Sequence, residues 1–204
     1  MSQKLKYSTL ILIIIHVVGI FLFLFYPEAV QLSYATLILT GILLLINESN
    51  LKSLMLPILL TFIGGFVVEL IGTKTGYLFG EYTYGNSLGP KLFGVPVVIG
   101  LNWLIVVRAS LSLVESIFKL NKVILAMLTG ALCTLLDYLI EPVAIQYDFW
   151  SWSSQTIPVF NYVCWFGFSS LFAYLFLNQS KRNNKLGITI LFVWILFFAI
   201  LNVL

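Results

Sequence analysis

Seven long apolar runs, almost free of charge, constrain this chain more than any motif in it. They cover about residues 10–25, 34–46, 54–71, 95–115, 123–140, 158–177 and 186–204. About 20 apolar residues in a helix span a hydrocarbon core of about 30 Å. Only 9% of the residues are charged and 60% are hydrophobic, whereas a soluble domain carries roughly 25% charged residues. So few charges cannot cover a water-facing surface. The expected fold is therefore all-α: a polytopic membrane helical bundle of about seven transmembrane helices, forming a single integral membrane domain over residues 1–204. Lys4 and Lys6 before the first run resemble the start of a signal peptide. The run is long for one and no small-x-small site follows, so it reads as a retained first helix. Pro57 in the third run predicts a mild kink, and Gly64 and Gly65 predict close approach of a neighbouring helix. The fifth helix is expected to stop at Glu141-Pro142.

Several function classes drop out. The net charge of +3 comes from short basic clusters at turns, not from a nucleic-acid surface. Cys133 and Cys164 lie inside apolar runs and read as small apolar fillers. His16, the single histidine, reads as a packed or hydrogen-bonded helix residue. Neither a metal-ligand cluster nor a cofactor motif is indicated. Charge also orients the bundle. With the N-terminus in the cytoplasm, the inner segments hold Lys4, Lys6, Lys52, Lys119, Lys122, Lys181, Arg182 and Lys185, and the outer ones only Lys74 and Lys91. That is a positive-inside pattern. Arg108 falls within the fourth helix, where pairing with a carboxylate would accommodate it.

Two stretches look like copies of each other. Glu69 and Tyr82 are 13 residues apart, as are Asp137 and Trp150. Each copy has an aromatic-x-aromatic pair, Tyr82 with Tyr84 and Trp150 with Trp152. Pro96 to Trp103 is 7 residues, and so is Pro158 to Trp165. Only the linker from aromatic pair to proline differs, 12 residues against 6. This suggests an internal parallel repeat of helices three and four on helices five and six, units 54–115 and 123–177, a known way to build a site between membrane helices.

The orientation brings Glu69, Asp137, Glu141, Asn102, Trp103, Asn161 and Trp165 to one depth, at the outer end, beside both aromatic connections. A charge in a membrane helix costs about 2.5–3.5 kcal/mol on insertion scales, so three carboxylates there need a reason. For Glu141 alone, an interfacial residue facing water is as good a reading as a functional one. For Asp137, deeper by sequence, the functional reading is favoured. A carboxylic acid in a low-dielectric site can keep its proton at neutral pH and act as a general acid. Tyr and Trp rings attract cations by their faces. Acid, aromatic cage and membrane together suggest protonation of an alkene in a lipid-soluble substrate. Asp137 is the expected acid, with Glu69 and Glu141 tuning it or holding water.

At these residues the sequence resembles the integral-membrane carotenoid biosynthesis proteins that include the gamma-carotene and bisanhydrobacterioruberin hydratases. The similar signatures are Glu69-x-x-Gly72, Thr75-Gly76, Phe79-Gly80-x-Tyr82-x-Tyr84, Leu88-Gly89-Pro90, Val95-Pro96, Trp103, Asp137 with Pro142, Trp150-x-Trp152, Pro158, Asn161 and Trp165. They cover residues 69–165, and helices one, two and seven add only membrane character. The chain departs from the family pattern at Glu141, where Asp precedes the proline, and at Thr156, where Gly is expected. The resemblance implies a carotenoid substrate and addition of water across the terminal isopropylidene double bond of an acyclic end, giving a tertiary alcohol with no cofactor. Tyr82, Tyr84, Trp103, Trp150, Trp152, Trp165, Asn102 and Asn161 would then surround the reacting end. Two alternatives stay open: a carotenoid or isoprenoid cyclase using the same acid but excluding water, and a small membrane transporter. The water-holding character of Asn102 and Asn161 favours hydration.

Overall fold

The computed structural model describes residues 2–154, 156–179 and 184–204. Lys181 and Arg182, counted in the charge pattern above, lie outside the described residues. The described residues contain seven helices long and apolar enough to cross a membrane, so the protein is an all-α integral membrane bundle. In chain order they are α1 (Gln3–Phe25), α2 (Ser33–Ile46), α3 (Leu51–Thr75), α4 (Ile99–Ile117), α5 (Lys122–Gln146), α6 (Val159–Leu177) and α7 (Lys185–Val203). By itself α2 is 14 residues long, about 21 Å of rise and short for a span. A 3-10 turn, Pro27–Leu32, precedes it directly and extends the apolar segment to Glu28–Ile46.

Helix ends follow side-chain chemistry. Asn50, Asn121 and Asn184 cap α3, α5 and α7 by accepting from backbone N–H groups of the first turn, which otherwise have no helical partner. The expected stop of α5 at Glu141-Pro142 is corrected: the helix continues through Pro142 to Gln146. Proline removes only one donor, and inside a packed membrane bundle its neighbours support the helix around it. As a result Glu141 sits on the same face of a continuous helix as Asp137, one turn away.

α4 is the central helix. It touches α2, α3, α5, α6 and α7, and most of its residues are buried. Gly65 of α3 lets it come close: a Cβ there would lie 2.6 Å from the Trp103 side chain. Arg108 is buried in α4 and finds the carboxylate expected for it. Its guanidinium grips Glu48, in the turn after α2, through Nε at 2.8 Å and Nη2 at 3.1 Å. Its Nη1 donates to Ser112 Oγ at 3.1 Å, and the Asn184 amide donates to Glu48 Oε1 at 2.9 Å. This ionic cluster ties the α2–α3 turn, α4 and the start of α7 together. His16 is buried, with Nδ1 2.8 Å from the Leu12 carbonyl and its ring edge-on to Phe197, as a packed helix residue should be.

The two connections hold the only strands among the described residues. β1 (Tyr82–Tyr84) pairs antiparallel with β4 (Trp150–Trp152), and β2 (Lys91–Leu92) pairs with β3 (Val95–Pro96) in a hairpin leading into α4. The fourth apolar run predicts a helix from Val95; α4 instead starts at Ile99, because the hairpin uses the backbone of Val95 and Pro96.

Removing one partner of a buried ion pair leaves the other charge uncompensated, at a cost of about 3–5 kcal/mol. Arg108→Met is expected to destabilise the protein in detergent by about this amount, read from denaturant or thermal unfolding. Adding Glu48→Met should recover most of the loss.

Candidate active site

The spacing of each aromatic-x-aromatic pair is that of a strand, in which residues two apart share a face. In the β1–β4 ribbon Tyr82 lies opposite Trp152 and Tyr84 opposite Trp150, with Thr83 and Ser151 between them on the other face. The aromatic face closes over the ends of α3 and α5, and under it lie three buried carboxylates: Glu69 at 4% exposure, Asp137 at 1% and Glu141 at 1%. The reading of Glu141 as an interfacial residue facing water is therefore overturned. Because α5 does not stop at Pro142, Glu141 is held beneath Trp150 and Trp152.

The hydrogen bonds to these carboxylates are unequal. Glu69 accepts at Oε2 from the Tyr82 hydroxyl and, at 2.7 Å, from the Tyr84 hydroxyl. Its Oε1 accepts from the Trp103 indole N–H at 2.9 Å. Glu141 accepts at Oε2 from the indoles of Trp150 at 3.0 Å and Trp152 at 2.9 Å. Asn161 Nδ2 bridges Asp137 Oδ2 at 2.9 Å and Glu141 Oε1 at 3.3 Å. Glu69 and Glu141 thus each receive three donors, and Asp137 receives one. Every one of these donors is neutral; among the described residues no Lys or Arg pairs with the three carboxylates. Burial, and then the neighbouring Glu69 carboxylate, push the Tyr82 and Tyr84 hydroxyls well above the usual phenol range, so both stay protonated donors.

Gly72, one turn beyond Glu69, makes room for this arrangement. A Cβ at that position would lie 2.9 Å from both the Phe79 ring and the Tyr82 hydroxyl. Phe79, which sequence reasoning did not single out although it stands in the motif, is buried with φ 64° and packs on Tyr82 and Trp103. Trp103 and Trp165 stack at 3.9 Å, 9° from parallel.

Two cavities adjoin here. The small one, about 20 Å³, is lined by Glu69, Asp137 and Glu141, by Asn161 and Asn102, and by aromatic rings including Tyr82, Tyr84, Trp150, Trp152 and Trp165. Every candidate site residue read from the sequence lines it except Trp103, which stands behind Trp165 and Glu69. The other cavity, about 380 Å³, is apolar and runs among α1, the 3-10 turn, α2, α4 and α7. Its lining includes Ile14, Val18 and Leu32, which are also exposed on the bundle's outer surface. Helices one, two and seven therefore do more than cross the membrane: they wall a cavity. Apolar residues in membrane helices carry no signal that separates a cavity wall from a lipid face, so the sequence could not reveal it. Ile99, Asn102 and Trp150 line both cavities. Among the described residues no group of three or more His, Cys, Asp or Glu is arranged to hold a metal ion.

The hydrogen-bonding roles also refine the apparent repeat. The 13-residue spacing matches Glu69 with Asp137, yet the carboxylate that accepts from the second aromatic pair is Glu141.

Comparison with known proteins gives three results. No solved structure matches the chain. It is 31% identical over 119 residues to a protein named bisanhydrobacterioruberin hydratase from Haloarcula japonica, an alignment covering 53% of this chain and 40% of that protein. The chain thus spans well under half the length of this relative. A family model described as "Carotenoid biosynthesis protein" matches residues 19–204. With the match running over nearly the whole bundle, including both connections and all three buried carboxylates, the chain belongs to the carotenoid biosynthesis protein family.

Proposed function

We propose that this protein hydrates the terminal isopropylidene double bond of an acyclic carotenoid end. The observation that carries the reading is an apolar cavity that shares lining residues with a water-sized one walled by three carboxyl groups. The hydrocarbon chain lies in the first, with its last double bond at the junction. The second has room for about one water molecule.

The hydrogen-bond pattern supports a division of labour. An indole N–H can only donate, so Glu69 Oε1 and Glu141 Oε2, which face indoles, act as acceptors. Each of these two carboxylates is surrounded by three donors, which favours its ionised form more than the single donor of Asp137 does. Asp137 has one donor, and its second oxygen has no hydrogen-bond partner among the described residues, so Asp137 carries the transferable proton. It gives that proton to the less substituted alkene carbon, which leaves a tertiary cation. The two carboxylates and the faces of the surrounding rings stabilise the cation. Water attacks the cation and its released proton returns to Asp137. One water is added across one double bond and no electrons are transferred. A site that admits water at the reacting end favours this reading over cyclisation, in which water must be kept away from the same cation. The named relative, a hydratase, supports the same class of reaction.

The basic turns support an orientation with the N-terminus in the cytoplasm and the carboxylate end of the bundle outward. Asn86 is exposed in the first connection, and Cys133 and Cys164 are buried. A cysteine introduced at Asn86 should react with a membrane-impermeant thiol reagent in intact cells. Labelling only after lysis would reverse the orientation.

Expressed in a host that accumulates an acyclic carotenoid, the protein should yield pigment heavier by one water. A ring at unchanged mass would instead indicate cyclisation, and unchanged pigment would argue against both.

The variants separate the acid from its neighbours. Asp137→Asn keeps an oxygen for Asn161 and should unfold like wild type while losing at least about 100-fold in hydration rate, the contribution typical of a general acid. Glu69→Gln cannot accept from all its donors. It should lose about 1–3 kcal/mol of stability as well as activity. Near-normal hydration by Asp137→Asn would move the acid elsewhere.

A further inference from the structure

The site contains two asparagines, and the structure gives them different work. Asn161 is 2% exposed, and its amide N–H donors are spent on Asp137 and Glu141. Asn102 is half-buried, and its amide has no hydrogen-bond partner among the described residues. It lines both cavities. The other two residues at the junction cannot do what Asn102 can. Ile99 is apolar, and the Trp150 indole N–H is committed to Glu141. Asn102 is thus the polar side chain at the junction with both a donor and an acceptor unspent.

We propose that Asn102 is the residue that decides the fate of the cation, by holding the attacking water between the small cavity and the chain in the large one. This rests on the hydration reading above. The water donates one hydrogen bond to the Asn102 carbonyl oxygen and turns a lone pair toward the cationic carbon. As the C–O bond forms, the water's proton passes to the Asp137 carboxylate, which has just given one up. Without the amide, the same cation still has an exit in the site: it loses a proton from a carbon next to the charge, back to Asp137. That step regenerates an alkene of unchanged mass and consumes nothing. In deuterated water the Asp137 proton exchanges with solvent, so unproductive cycles that lose a hydrogen other than the deuteron just added leave deuterium in the recovered hydrocarbon. Protonation and water capture can therefore be read separately.

The test uses the full-length protein in native membranes or lipid nanodiscs, supplied with an acyclic carotenoid in deuterated water. Hydrated and deuterated unhydrated products are quantified by mass. Wild type should give mainly alcohol. Asn102→Leu, close in volume, should still label the hydrocarbon, with the ratio of alcohol to deuterated alkene lower by about tenfold or more, as expected for loss of one hydrogen bond to the nucleophile. Asn102→Ser, which restores a hydroxyl, should recover part of the ratio. An unchanged ratio in Asn102→Leu would overturn the assignment. So would loss of both products in a variant that unfolds like wild type, since Asn102 would then serve binding or protonation instead. Failure of the hydration reading itself looks different: wild type would produce no alcohol at all.

Discussion

A carboxylate inside a helix bundle has few sources of hydrogen-bond donors, because the backbone N–H groups beside it are already used by the helices. That constraint shapes the whole connection end of this protein. Glu69 and Glu141 sit on α3 and α5, and their donors must come from elsewhere: Trp103 on α4, Asn161 on α6, and the four aromatic residues of the β1–β4 ribbon. A hydrogen bond to a charged group contributes about 1.5–3 kcal/mol, so three of them outweigh an insertion cost of about 2.5–3.5 kcal/mol. The connections are held in place because their side chains hydrogen-bond to buried carboxyl groups. The ribbon in turn covers those groups.

The rest of the bundle follows from separating two solvents. α3, α5, α6 and the ribbon enclose the polar cavity, while α1, α2 and α7 wall the apolar one. α4 stands between them. Its first turns present Ile99 and Asn102 to both cavities and Trp103 to Glu69. Farther along, Arg108 is anchored by Glu48. The electrostatics thus change along α4: carboxylates served by neutral donors beside its first turns, and a charge pair at its middle. Fixing α4 through Arg108 also fixes where the junction residues stand.

Protonating an alkene is only half of a hydration, since the cation it creates reacts with whatever lies nearest. A bundle of this kind could support hydration, cyclisation or simple isomerisation with the same acid and the same rings. What differs among those outcomes is whether one water is held at the reacting carbon. That makes the few polar groups not already bound to the carboxylates more informative about the product than the carboxylates themselves.

The amino-acid sequence determined the membrane class, the helix count and the composition of the polar site. Hydropathy acts locally, and a helix in lipid must satisfy its own backbone, so each apolar run declares its structure without help from the others. The aromatic pairs, Glu69 and Asp137 were legible for a related reason: polar and aromatic residues are conspicuous against an apolar background. Other features depended on contacts between distant segments. Whether α5 would stop at Pro142 depended on its packing, and with that went the burial of Glu141. That the two aromatic pairs would face each other across one ribbon is a pairing 68 residues apart in sequence, Thr83 with Ser151. The partner of Arg108 came from a turn 60 residues away. The apolar cavity was invisible because Leu, Ile and Phe look the same whether they face lipid or line a pocket. Only the packing of α1, α2, α4 and α7 decided which of them leave space between them.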